Sequence, residues 1–155
     1  MAATDDVFLT HQQPVWRSRA DFIVMAPLAE HHTYEQIWAR QEADDLFEIC
    51  CIPFFAHNLS LGDLVRTEMQ GERSYLISDV VRPSGRSTFR VWLGKSPDDR
   101  LDVEAEFIAM GALTEWSSEH LLALDVPDEP QAQVLATRLA AGEQSGRWLY
   151  ETGRL

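Results

Sequence analysis

The chain has 155 residues, 45% of them hydrophobic, and a formal charge of −12 at pH 7. That length suits one compact domain, or two small subdomains sharing a core. The acidity is spread along the chain and disfavours nucleic acid, which attracts proteins mainly through Lys and Arg on its phosphates; no apolar run approaches the roughly 20 residues of a membrane span.

The first residues, MAATDDVFLTHQQP, lack the basic start and apolar core of a secretory signal, so the expected location is the cytoplasm. Residues 1–15 are polar and aperiodic and read as a loose N-terminal arm whose order depends on docking against the body. From Trp16 onward a β-rich subdomain is expected. ADFIVMAPL reads as a strand ending at Pro27. YEQIWARQ reads as a strand with Tyr34, Gln36, Trp38 and Arg40 on one face and Glu35, Ile37, Ala39 and Gln41 on the other, neither cleanly apolar. LFEICCIPFF has apolar groups on both faces, which implies burial on both. Cys50 and Cys51 are neighbours, too close along the chain for an ordinary disulfide, and read as free thiols of a reducing compartment. Asn58 and Gly62 supply turn chemistry before the strand DLVRTEM, and QGER closes a hairpin onto SYLISDVV.

RPSGRS marks the boundary between halves. Beyond it STFRVWLG is a strand, and SPDDRLDVEAEFIAMG is a helix capped by Ser96 or Asp98 and stopped at Gly111, with Leu101, Ala105 and Ile108 as its apolar stripe. ALTEWS and HLLALDVP are strands. The next helix has Asp128 as cap and Pro130 in its first turn, and Gly142 and Gly146 weaken or end it before Trp148. The order strand, helix, strand, strand, helix supplies five of the six elements of a ferredoxin-like unit, with the sixth strand absent or made from RWLYE. The expected fold class is therefore α+β: a small curled sheet or partial barrel within residues 16–85, packed with a ferredoxin-like βαββα half over 86–155.

Cys51 with His57 suggests a nucleophile and base, with Asp63 nearby, but that chemistry needs a thiolate held against an imidazole. A cysteine between Ile49 and Ile52 reads first as a small buried hydrophobe. His31 and His32 with Glu30 or Glu35 show no structural zinc spacing, and the acids from Asp98 to Glu106 lack the glycine and closing glutamate of a calcium loop, so neither metal nor cofactor is expected. Arg90 and Glu115, on strands expected to be neighbours, could pair across the ladder. With Trp92 and Trp116 they are the candidate binding residues, since Arg and Trp are common interface anchors.

VWRSRADF, FEICCIPFFAHNLSLGD, RPSGRSTFRVW, MGALTEWSSEHLLALDVP and GRWLYETG together resemble a family of short bacterial proteins, common in actinomycetes, known as a domain of unknown function. The resemblance spans residues 14–154 and rests most on the IPFF…GD and GA…EW segments; it implies no activity, cofactor or catalytic residue.

The leading expectation is a non-enzymatic protein-binding module, immunity-like, antitoxin-like or regulatory, whose partner is a basic protein. A second reading is a small enzyme with its site in the crease between the halves, near Cys51, His57, Asp63 and Arg90. A third is a self-associating structural protein, a homodimer formed through an exposed sheet edge.

Overall fold

In the computed structural model residues 5–72, 74–94 and 97–154 are described. Residues 1–4 of the arm and Ser96, one of the two candidate helix caps, lie outside the described residues. Six strands form the first sheet: β1 (Val7–Leu9), β2 (Phe22–Pro27), β3 (Thr33–Ala43), β4 (Leu46–Ile49), β5 (Leu64–Gln70) and β6 (Ser74–Arg82). β3 is long enough to serve three neighbours. It pairs with β2 along Tyr34 to Ala39, with β1 at its start and with β4 at its end. Because β4 continues through β5 and β6 back to β2, the sheet closes into a five-stranded barrel with β1 added alongside. Two register shifts in the β5–β6 ladder supply local bends of the kind that curl a sheet. The barrel core is made by Val24, Ile37, Phe47, Ile49, Cys51 and Val65 with smaller neighbours.

The second half holds β7 (Ser87–Trp92), α1 (Arg100–Ala109), β8 (Leu113–Trp116), β9 (Leu121–Val126), α2 (Glu129–Gln144) and β10 (Leu149–Thr152). Its sheet order is β10-β7-β9-β8, antiparallel throughout. The sixth ferredoxin-like element is thus present, made from the end of RWLYE and its continuation.

One face of this sheet, through Phe89, Val91, Leu122 and Leu124, packs on Phe107 of α1 and on Leu135 and Leu139 of α2. The apolar stripe expected on α1 is corrected here. Leu101 and Ile108 are exposed, and the buried face carries Val103 and Phe107, four residues apart. The cap is Asp99, without a side-chain hydrogen bond, after a single 3-10 turn over Pro97–Asp99. α2 begins as the sequence indicates: Asp128 accepts a hydrogen bond from the Gln131 amide at 2.9 Å.

Gly142 lies inside α2 because the Trp148 indole lies directly on it; a Cβ there would come 2.0 Å from Trp148 Cζ2. The same indole donates to the Leu139 carbonyl at 2.9 Å, so its N–H is paired while the ring fills the core.

The connection between halves is also pinned. Asp63 accepts from the Ser60 amide at 2.9 Å and the Ser84 amide at 2.8 Å, and the Ser84 hydroxyl donates to the Leu61 carbonyl at 2.8 Å. Gly62, at φ 82°, makes this turn where a Cβ would crowd Ser84.

Candidate functional site

β4 ends at Ile49, and the chain then leaves the barrel wall and crosses to the free face of the second sheet. Irregular backbone that is buried must find partners for its amides and carbonyls. From Ile52 to Ala56 the donors all go to two carboxylates. The Ile52 amide donates to Glu115 Oε2 at 2.6 Å, Phe54 to Glu35 Oε2 at 2.6 Å, and Phe55 and Ala56 each to Glu35 Oε1 at 2.9 Å. Pro53 has no amide hydrogen. On the acceptor side, the Arg90 guanidinium donates to the carbonyls of Pro53 (3.3 Å) and Ala56 and, at 3.1 Å, to Glu151. Glu35 belongs to the barrel, whereas Glu115, Arg90 and Glu151 belong to the second sheet. The segment is therefore held from both halves.

His11 completes the arrangement. The arm docks beside β3, and the imidazole enters the seam, where Nε2 lies 2.6 Å from Glu35 and Nδ1 lies 2.8 Å from Glu115. Ionised carboxylates only accept, so both ring nitrogens donate and the ring is an imidazolium. It stacks on Phe54, centroid to centroid 3.9 Å at 12°. Burial alone would lower its pKa, but contacts with Cys51, Glu115 and Glu35 outweigh that and raise it to about 12. Burial pushes the Glu35 carboxyl up, yet His11 and the backbone amides hold it below its ordinary value. With both nitrogens and all four carboxylate oxygens already bonded to one another or to the Ile52–Ala56 amides, the cluster is a clamp rather than a proton-transfer site. Among the described residues no group of three or more His, Cys, Asp or Glu is arranged to hold a metal ion.

The residues singled out by sequence are dispersed or reassigned. Cys50 and Cys51 are both fully buried, and burial raises both thiols, Cys50 to about 12, with His11 opposing the rise at Cys51. His57 is exposed and lines a different recess, with Leu9 and Leu28. Asp63 is buried and holds the turn before β5. The structure therefore does not bring Cys51, His57 and Asp63 into one site. Arg90 and Glu115 are not on neighbouring strands, because β9 lies between β7 and β8. The register instead makes a row Glu151, Arg90, Ala123, Glu115 across the four strands. The small Ala123 at the middle of the row leaves room for Ile52 and Phe54 to pack against it. Trp116 is half-buried, donating to Glu104 at 2.9 Å beneath Arg100. Sequence reasoning missed His11, which has no periodicity around it, and missed the role of Glu35. The signal for Glu35 was its place on the strand face shared by Ile37 and Ala39.

Beside the clamp the seam opens to solvent. A groove of about 330 Å³ is lined by Phe54, Phe55, Trp92, Leu121 and the β10 segment Leu149 to Glu151, with Arg90 in its wall. Trp92 is 45% exposed and Leu149 60%, and the two are cross-strand partners, so they form one exposed apolar patch. The Arg90 side chain is 1% exposed, while its acidic partner Glu151 is 56% exposed. Of the four candidate binding residues, Arg90 and Trp92 meet at this groove, and Glu115 and Trp116 do not line it.

No curated protein matches the chain. A crystal structure described as that of a hypothetical protein from Neisseria gonorrhoeae is similar in fold, with a TM-score of 0.70 at 20% identity, over 83% of this chain and 91% of that one. A family model matches residues 35–150, which include the Ile52–Ala56 segment, Glu35, Arg90 and Glu115. The chain belongs to the family described as Domain of unknown function (DUF4265).

Proposed function

We propose that the protein is a non-enzymatic binding module that recognises another protein through the groove beside Arg90. The observation that carries this reading is an open, mostly apolar groove with exposed Trp92 and Leu149 on its walls, next to buried polar groups already taken up by the Ile52–Ala56 backbone. Binding sites combine apolar walls with few polar groups, and tryptophan and arginine are frequent anchors at protein interfaces. The charge of −12 favours a basic partner, as for an immunity-like or regulatory protein. The free thiols of Cys50 and Cys51 fit a cytoplasmic setting.

The test compares tagged wild type with a Trp92→Ser, Leu149→Ser double variant as baits in the same cell extract, read by quantitative mass spectrometry. Wild type is expected to retain a basic protein that the variant loses by about tenfold or more, the scale of a hot-spot truncation. Since both side chains are exposed, the melting temperature should stay nearly unchanged. Equal retention by both baits, or no protein retained above background, would count against the reading.

A further inference from the structure

Resting on that reading, we infer that the groove takes the C-terminal residue of its protein partner, with the apolar side chain laid against the cross-strand pair Trp92 and Leu149 and the α-carboxylate on Arg90 in place of Glu151. Arg90 is a buried cation whose bonds to Pro53 and Ala56 go to neutral carbonyls. Its counter-ion, Glu151, stands on the rim of the groove and is 56% exposed, so it can swing into water at little cost in packing. What this uncovers is a guanidinium edge at the wall of an apolar groove. A planar guanidinium is well matched to a carboxylate. Glu151 itself shows the pairing, a carboxylate 3.1 Å from Arg90 Nη1.

A chain terminus fits better than an internal acidic residue because a single terminal residue carries an apolar side chain and a carboxylate on the same Cα. The groove volume, about 330 Å³, is at the small end for ligand sites and suits one such residue. A free apolar acid shares this head-group chemistry but arrives as a bare anion at a protein of charge −12. A protein terminus preceded by Lys or Arg brings the opposite charge with it, and the field of the whole molecule then favours approach. The geometry therefore points to a basic protein with an apolar last residue.

The probes are a hexapeptide of basic then small residues ending in leucine with a free C-terminus, the same peptide amidated, and decanoate, each titrated into the full chain by calorimetry. The free-acid peptide is expected to bind at least tenfold tighter than the amide, and decanoate more weakly than the peptide. Glu151→Gln removes the internal competitor and should tighten the free-acid peptide several-fold while leaving the amide unchanged. Equal binding of acid and amide would overturn the carboxylate assignment and leave groove recognition standing. Decanoate binding with no peptide binding would overturn the protein terminus as the source. Failure of all three probes would overturn the inference, whereas the bait comparison reads groove recognition separately. Since Arg90 also holds the Ile52–Ala56 segment, Glu151→Gln rather than an Arg90 variant is the deciding substitution.

Discussion

His11→Gln would leave the buried carboxylates of Glu35 and Glu115 without the cation between them, and a glutamine amide cannot donate to both as an imidazolium does. Breaking a buried charge pair by removing one partner costs about 3–5 kcal/mol, far more than losing a surface pair. The urea midpoint of the variant should fall accordingly. The pH dependence has a definite sign. With its pKa raised from 6.5 to about 12, His11 keeps in the native state a proton that the unfolded chain releases near 6.5. Its contribution is whole below pH 6.5 and is lost progressively as pH rises towards 12. Glu35, held below its ordinary value, contributes fully above the usual carboxylate range and loses that contribution as pH falls through it. Wild-type stability should therefore decline from about pH 6 to about pH 8, below the range in which the raised Cys50 and Cys51 thiols add a decline of their own, with a slope on the order of 1 kcal/mol per pH unit, and that decline should vanish in His11→Gln. A wild-type profile that is flat or rising over that range would contradict the imidazolium assignment.

At the scale of elements, α2 and Trp148 give the sharpest expectation. Alanine normally stabilises a helix interior relative to glycine by about 1 kcal/mol, so Gly142→Ala ought to help if propensity decided the matter. Contact with the Trp148 ring decides it instead, since the added Cβ would meet Cζ2 at 2.0 Å. The substitution is expected to lower stability by about 1–3 kcal/mol through overpacking, readable in a thermal melt. A melt raised by the substitution would show the indole free to move. The same contrast explains how far the sequence is legible. Strand–turn signals and the Asp128 cap lead to the observed elements, and the α+β order leads to the ferredoxin-like half. Periodicity alone cannot choose between the two apolar stripes of α1. Leu101, Ala105 and Ile108 repeat as well as Val103 and Phe107, and only the sheet beneath selects the second set. Nor does a strand pattern reveal which strands become neighbours, which is why Ala123 rather than Glu115 stands opposite Arg90. His11 lies beyond any local rule: its partners are 24 and 104 residues away in the chain.

Across the whole molecule, two cores meet at a third, small cluster of Ile52, Phe54 and Ala123 with Val15. So little apolar contact would not join two halves strongly. The Ile52–Ala56 segment does so by giving its amides to carboxylates from both sides and two carbonyls to Arg90. Fixing the seam this way also fixes the groove beside it, since Phe54 and Phe55 in its wall belong to the clamped segment. The recognition proposed for that groove would then use a clamped joint rather than a free loop, which reduces the ordering cost of binding. Native-state hydrogen exchange at the amides of Ile52, Phe54 and Ala56 tests this most directly. These residues lie in no helix or strand, yet they are expected to exchange as slowly as the slowest amides of β3 and β9, opening only when the whole chain unfolds. Exchange at the rate of an ordinary surface loop would contradict the clamp and the preformed groove together.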